Sequence, residues 1–128
     1  MKIDVALIVK KKWLDRIFDH GKVWEMRSRN NKTHVNKWIG LIESGTQTLV
    51  GVVYVEKCVS VPRNELSDHV DKHHVEDWSE FKWKRYNAWV LREGTARRVE
   101  RRPVEQKPGC VVWVKVDLDL DLDLDESA

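Results

Sequence analysis

Apolar and polar positions along the chain predict an α+β domain. Continuous apolar runs and alternating runs of apolar and polar residues predict strands, whereas apolar residues spaced three or four apart predict helices. We therefore expect strands over residues 3–9, 24–29, 37–43, 49–61, 86–91 and 110–116, with helices over residues 12–20 and about 63–83. These elements are expected to form a small barrel of five or six strands with the helices at its rim.

The junction between the first helix and the second strand gathers charged side chains. Gly21 can end the helix in a left-handed conformation, and Lys22 follows it directly. Because side chains alternate along a strand, Glu25, Arg27 and Arg29 share one face. We expect Lys22 and these three residues to form a cluster that could hydrogen-bond a polar ligand or hold a phosphate. A surface strip of weak ion pairs is the alternative.

Charge is distributed unevenly, although the net charge is only +2. Residues 117–128 contain six acidic residues and no basic ones, which leaves 23 basic against 15 acidic residues in the rest of the chain. A basic body favours phosphate-bearing partners, with a solvated basic surface as the alternative. We expect residues 1–116 to form one domain. The Leu-Asp repeat of residues 117–128 is expected to be a frayed strand extension followed by a disordered acidic tail.

Segments that would place the protein in or beyond a membrane are not evident. No apolar run approaches the ~20 residues that a membrane span requires. The first residues lack the pattern of a secretory signal, so we expect a cytoplasmic protein. Cys58 and Cys110 lie far apart in apolar, strand-like runs, where reduced and buried thiols are expected.

Aromatic and basic residues are interleaved over residues 78–86, and a basic run from Arg92 to Arg102 follows. Aromatic rings beside a basic groove can stack on the bases of single-stranded nucleic acid. We therefore expect Trp83 and Tyr86 to be stacking groups for a ligand. Most of the seven tryptophans are expected in the core, in particular Trp13, Trp24, Trp89 and Trp113.

Three histidines lie close together in the second predicted helix. His69 and His73 would lie one helical turn apart and could share a metal ion, with His74 adjacent. No glutamate follows His69 in the HExxH manner, and no third ligand is evident. We therefore expect ordinary surface histidines, with no metal ion and no cofactor. The sequence also lacks the Gly-x-Ser-x-Gly, P-loop and dinucleotide-binding motifs.

Several segments resemble the ASCH domain family, whose members are PUA-like barrels named for activating-signal-cointegrator homology. The segment from Gly21 to Ser28, GKVWEMRS, resembles the GxKxxExR signature of the family. Leu49 to Val55 resembles its central glycine-containing strand, and Tyr86 to Leu91 resembles its Tyr-Ala-Trp-Val-Leu strand. These segments occur in the order found in the family, and the resemblance spans about residues 3–116.

The resemblance implies a cleft lined by Lys22, Glu25 and Arg27. It implies a partner that is RNA, single-stranded nucleic acid or a modified nucleoside, so we expect a domain that binds such a ligand. One bacterial branch of the family is an amidohydrolase of acetylated cytidine that uses Lys, Thr and Glu. This chain has Glu25 at the threonine position, with Glu56 and Glu65 as rival candidates for the second glutamate.

Two enzymatic alternatives follow from the same resemblance. In an amidohydrolase of acylated nucleosides, Glu25 would be the general base and Lys22 would stabilise the oxyanion. A ribonuclease activity, which is attributed to another family member, is the second alternative.

Overall fold

The computed structural model describes residues 1–77, 83–110 and 112–121. Seven strands, two α-helices and one 3₁₀ helix are present in these ranges. In chain order they are β1 (Lys2–Val9), α1 (Lys11–Asp19), β2 (Trp24–Arg27), β3 (Lys37–Glu43), β4 (Thr48–Pro62), the 3₁₀ helix (Arg63–His69), α2 (Val70–His73), β5 (Arg85–Leu91), β6 (Arg97–Pro103) and β7 (Trp113–Asp119).

The strands form a single curled sheet in the order β2-β5-β4-β3-β1-β7, and β6 pairs with β4 beside this path. β1 and β3 are parallel, and the other pairs are antiparallel. The predicted α+β fold with helices at the rim of a barrel-like sheet is confirmed. The sheet is not closed, however, because among the described residues the end strands have one partner each: β2 pairs only with β5, and β7 pairs only with β1.

β6 is a strand that the pattern of apolar residues does not predict. Its sequence, RRVERRP, is almost entirely exposed, so it lacks the apolar alternation by which strands are predicted. Its backbone pairs with residues 48–52 of β4. The hydrogen bonds of that ladder, rather than a buried face, therefore define this strand.

The second predicted helix is shorter than expected. A 3₁₀ helix and the single turn of α2 replace it, and His74 then adopts a left-handed conformation with φ 61°. A residue whose backbone has this conformation cannot continue a right-handed helix, so α2 ends and the chain changes direction. Residues 78–82, the end of the predicted helix, lie outside the described residues.

The last strand is displaced toward the carboxyl terminus. It begins at Trp113 and continues to Asp119, beyond the expected domain boundary at residue 116. Leu120 is buried, and its backbone N–H donates to the Met1 carbonyl over 2.7 Å. The strand extension is thus ordered through the first part of the expected tail, whereas residues 122–128 lie outside the described residues.

Helix α1 lies directly on the sheet because β4 has a glycine beneath it. The aromatic ring of Phe18 occupies the space that a Cβ atom at Gly51 would need. The neighbouring apolar residues of the helix, Leu14 and Ile17, are buried in the main core cluster with β1, β3 and β4. This close approach fixes the opposite, polar side of α1 beside the ends of β1 and β2.

Within the described ranges, none of the helices has both the length and the apolar character required to cross a bilayer.

Candidate functional site

A cleft opens between the carboxyl end of β1 and β2, two strands that do not pair with each other. Its volume is about 570 Å³. The end of β1, the start of α1, β2 and the segment after α2 all contribute to its wall. The lining residues are Ile8, Val9, Lys10, Lys12, Trp13, Arg16, Glu25, Met26, Arg27, Ser44 and His74 to Asp77.

Glu25 supplies a buried carboxylate to this cleft. Its neighbour Met26 packs into a cluster with Tyr86, Val61 and Leu66. Glu25 itself is only 5% exposed, and its Oε1 lies 3.8 Å from the Nε of Arg27. The other oxygen, Oε2, is buried and has no hydrogen-bond partner. The carboxylate therefore retains capacity to accept hydrogen bonds.

Arg27 bridges the unpaired gap between the strands. Its Nη2 donates to the carbonyl of Ile8 in β1 over 3.0 Å, and its guanidinium lies 5.5 Å from the centre of the Trp89 ring. Trp89 in turn stacks on Trp113, with ring centres 5.4 Å apart, and His34 lies against the other tryptophan at 4.4 Å. This column of planar groups holds the guanidinium in the cleft wall.

Lys22 lies beneath the cleft rather than in its wall. Gly21, with φ 75°, ends the helical turn and directs the lysine inward, where it is 2% exposed. Its ammonium donates to the carbonyls of Trp24 and His73, each over 2.6 Å. Burial lowers the pKa of Lys22 to about 8, and the Glu25 carboxylate partly opposes this effect. Lys22 thus fastens β2 to the end of α2.

His73 is buried, so the prediction of a surface histidine is wrong for this residue. His73 is 0% exposed, its Nδ1 accepts from the Val75 N–H over 2.9 Å, and its Nε2 donates to the Leu66 carbonyl over 2.6 Å. Burial lowers the pKa of His73, and both backbone contacts suit a neutral ring. Among the described residues, no group of three or more histidine, cysteine or acidic side chains is placed to hold a metal ion.

His74 differs from its neighbour because it lines the cleft. Its Nε2 lies 3.1 Å from the Asp71 carbonyl and donates to it in the tautomer that this contact requires. Its Nδ1 is buried without a hydrogen-bond partner. Partial burial lowers the pKa of His74.

The remaining sequence-predicted site residues lie outside the cleft wall. The side chain of Arg29 is exposed beyond the end of β2, and its backbone carbonyl accepts from the Trp89 indole over 2.9 Å. Tyr86 is 2% exposed and packs in a core cluster, so its ring offers no open face to a base. Trp83 is 62% exposed, but it does not line the cleft. Tyr86 is inward because it occupies a core-facing position of β5.

Four basic or aromatic residues line the cleft beyond those that the sequence predicts for the site: Lys10, Lys12, Trp13 and Arg16. The sequence predicts Trp13 for the core alone. The spacing of Lys12 and Arg16, four apart on one helix, is the signal that could have found them. Trp13 has both roles, since its ring packs against the main core and also lines the cleft.

A second basic region is formed by β6, and we call its arginines, Arg97, Arg98, Arg101 and Arg102, the arginine strand. Arg98 donates to Asp19 over 2.6 Å and to Asp15 over 3.3 Å, and it lies over the Phe18 ring. Arg101 lies 3.5 Å from the Glu43 carboxylate. Two of the four arginines are thus paired with acidic side chains of the same molecule.

Comparisons with known proteins agree with this architecture. Crystal structures of an ASCH protein from Zymomonas mobilis resemble the fold. One structure, of that protein without substitution, has 16% identity and a TM-score of 0.60, covering 74% of this chain and 71% of that chain. A point mutant has 12% identity and a TM-score of 0.68, covering 88% and 87%. At these identities the likeness concerns the fold, which is PUA-like.

No match was found among curated proteins. The family model of the ASCH domain matches residues 7–95, more than half of the chain. This range contains all of the residues that line the cleft, together with Lys22. The chain therefore belongs to the ASCH domain family.

Proposed function

We propose that this protein binds RNA, or a nucleotide-containing ligand, in the cleft between β1 and β2. One observation carries the proposal: an aromatic ring, Trp13, and four cationic side chains line the same cavity. A base needs a flat surface on which to stack, and its phosphate needs cations nearby. The volume of about 570 Å³ is suited to a ligand of nucleotide size.

The cations of the cleft are available to a phosphate. Lys10, Lys12 and Arg16 are on or beside α1, and none forms an ion pair with another of the described residues. Lys10, Lys12 and Arg16 are also exposed, so they can approach a ligand without losing an ion pair. Such cations attract a polyanion and make its binding dependent on salt.

Trp13 provides the stacking surface of the proposed site. The Nζ of Lys12 lies 4.6 Å from its ring centre, and the Nζ of Lys22 lies 4.9 Å away. Cations at such distances are attracted to the ring face and restrain its orientation. We assign to Trp13 the stacking role that the sequence suggested for Trp83 and Tyr86.

Membership of the family is consistent with this proposal, because the ASCH family is generally associated with RNA.

The structure supports a nucleoside amidohydrolase activity less well than it supports RNA binding. The ammonium of Lys22 already donates to two backbone carbonyls, and Lys22 does not line the cleft. It is therefore better placed to hold the wall than to stabilise an oxyanion. We propose the cytoplasm as the compartment in which binding occurs.

The test compares two tryptophans. Trp13→Leu should weaken binding of a labelled single-stranded RNA oligonucleotide by about 1–3 kcal/mol, the value of one stacked base. Fluorescence anisotropy measures the dissociation constant, and circular dichroism verifies that the leucine maintains the fold.

Trp83→Leu is the matched control, because Trp83 is exposed but lies outside the cleft wall. Its affinity should equal that of the wild type. A loss of affinity in Trp83→Leu together with wild-type binding in Trp13→Leu would place the RNA site elsewhere on the surface.

A further inference from the structure

Two hydrogen-bond acceptors in the cleft wall have no partner. Of the three buried side-chain polar atoms that lack a partner among the described residues, two belong to residues of this cleft: Oε2 of Glu25 and Nδ1 of His74. Both atoms are withdrawn from solvent, so bulk water does not satisfy them. A buried polar group in this state favours any ligand that supplies the missing hydrogen bond.

Both atoms require a donor. A carboxylate oxygen can only accept hydrogen bonds. The other oxygen of this carboxylate, Oε1, lies 3.8 Å from the Nε of Arg27. The Nδ1 of His74 carries a lone pair because the Nε2 proton points at the Asp71 carbonyl, 3.1 Å away. The two residues are on β2 and on the segment after α2, so different parts of the wall present the same chemistry.

The charges of the cleft determine which kind of hydrogen-bond donor a ligand can bring to these two atoms. Lys10, Lys12 and Arg16, which lie on or beside α1, outnumber the acidic lining residues when Arg27 is added, so a ligand whose donor is a free ammonium group is disfavoured. The favoured ligand therefore combines a neutral N–H donor with an anionic group. A nucleotide whose base carries an exocyclic amino group has both features.

We infer that the cleft selects nucleotides with an exocyclic amino group on the base, which donates to Glu25 or His74 while the phosphate contacts the cations of α1. This inference rests on the proposed function and adds a base preference to it. A base with a carbonyl at the same position presents an acceptor to the wall acceptors and is disfavoured.

The experiment compares matched nucleotides by isothermal titration calorimetry with the full chain. One series contains CMP, the analogue with hydrogen in place of the 4-amino group, and UMP. A second series contains AMP, purine riboside monophosphate and IMP. In at least one series the amino compound should bind about tenfold or more tightly than the hydrogen analogue, as expected for a hydrogen bond to a charged acceptor. The carbonyl compound should bind no better than the hydrogen analogue.

The outcomes separate the two proposals. Equal affinities within both series would overturn the amino preference and leave nucleotide binding intact. If neither these nucleotides nor a single-stranded RNA binds, the proposed function itself fails. The wild-type comparison needs no substitution, so it decides the matter even where a variant does not fold.

Variants then assign the preference to a residue. Glu25→Gln replaces one acceptor by an amide and should reduce the ratio between amino and hydrogen compounds to within about twofold. Glu93→Gln is the matched control, because it removes the same charge from an exposed residue outside the cleft. Glu93→Gln should preserve the wild-type ratio. A ratio unchanged in Glu25→Gln and also unchanged in His74→Asn would overturn the assignment to these acceptors.

Discussion

The cleft and the arginine strand are both basic, yet they use their charges differently. In the arginine strand, Arg98 is bound by Asp15 and Asp19, and Arg101 lies beside Glu43. In the cleft, Lys10, Lys12 and Arg16 form no ion pair with the described residues, and the buried carboxylate of Glu25 has one oxygen without a hydrogen-bond partner. The strand is the denser cluster in sequence, but among the described residues the cleft has more cations that form no ion pair.

This difference shows that a count of charges does not locate a binding surface. An exposed arginine that already forms ion pairs with carboxylates connects two elements of the fold, here β6 and α1. A cation without a carboxylate beside it contributes its full charge to the local potential. Substitutions in the two regions should therefore differ in their effects on stability and on RNA binding.

Lys22 under the cleft should make stability depend on pH. Its pKa is about 8 in the folded protein against an ordinary value of 10.5. Between these values the unfolded chain binds more protons, so the free energy of unfolding should rise with pH, by on the order of 3 kcal/mol in total. The gain is complete above the unfolded pKa and is lost as pH falls through about 8. Urea denaturation across this range measures it.

Lys22→Met removes this titration, and the rise attributable to Lys22 should disappear in the variant. Lys32→Met changes an exposed lysine of the loop between β2 and β3 and serves as the control. Its stability should keep the wild-type dependence on pH. An undiminished rise in Lys22→Met would show that another group carries it.

Gly51 is the point where the two basic regions meet the sheet. A Cβ atom there would overlap the ring of Phe18 in α1 and lie 2.6 Å from the Arg97 carbonyl in β6. Gly51→Ala should therefore lower the free energy of unfolding by about 1–3 kcal/mol. In a Phe18→Leu background the same substitution should cost less, because part of the clash is removed. Equal costs in both backgrounds would contradict the overlap with Phe18.

Salt dependence separates the regions directly. A double variant of the cleft, Lys12→Gln with Arg16→Gln, should reduce the slope of log affinity against log salt by about 1.4 for a single strand, since each lost phosphate contact removes about 0.7. The double variant of the arginine strand, Arg97→Gln with Arg102→Gln, removes the same charge. It should leave the slope unchanged. If the arginine-strand variant reduced the slope and the cleft variant did not, the phosphates would contact β6 instead of the cleft.

Arg98 should give the smallest effect. It is about half exposed, and ion pairs at exposed positions contribute little. Arg98→Gln should lower the free energy of unfolding by less than about 1 kcal/mol and should leave RNA affinity unchanged. Urea denaturation and anisotropy measure the two quantities, and a loss of affinity would show that the paired arginine also serves a ligand.

The pattern of apolar residues predicted most elements within a few residues of their observed ends. β3 begins and ends as expected, and β4 extends the expected range by one residue at each end. Prediction failed where backbone pairing or local conformation replaced periodicity. β6 has no buried face, and the left-handed His74 ends α2 after one turn.

The candidate site was predicted in part. Alternation along β2 located Glu25 and Arg27 next to each other, and both line the cleft. Lys22 was expected beside them but lies underneath, because its ammonium is drawn to the Trp24 and His73 carbonyls. The contribution of His74 could not be foreseen, since it depends on where a turn leaves the ring.

The sequence by itself determined the α+β fold, the family and the charges that the chain carries. These follow from periodicity and from motifs that extend over a few neighbouring residues. The tertiary structure alone decided which charges are free. Arg98 finds its carboxylates about 80 residues away in α1, whereas the Oε2 atom of Glu25 has no hydrogen-bond partner among the described residues. The interaction of two charges depends on their distance in space, which no local pattern specifies.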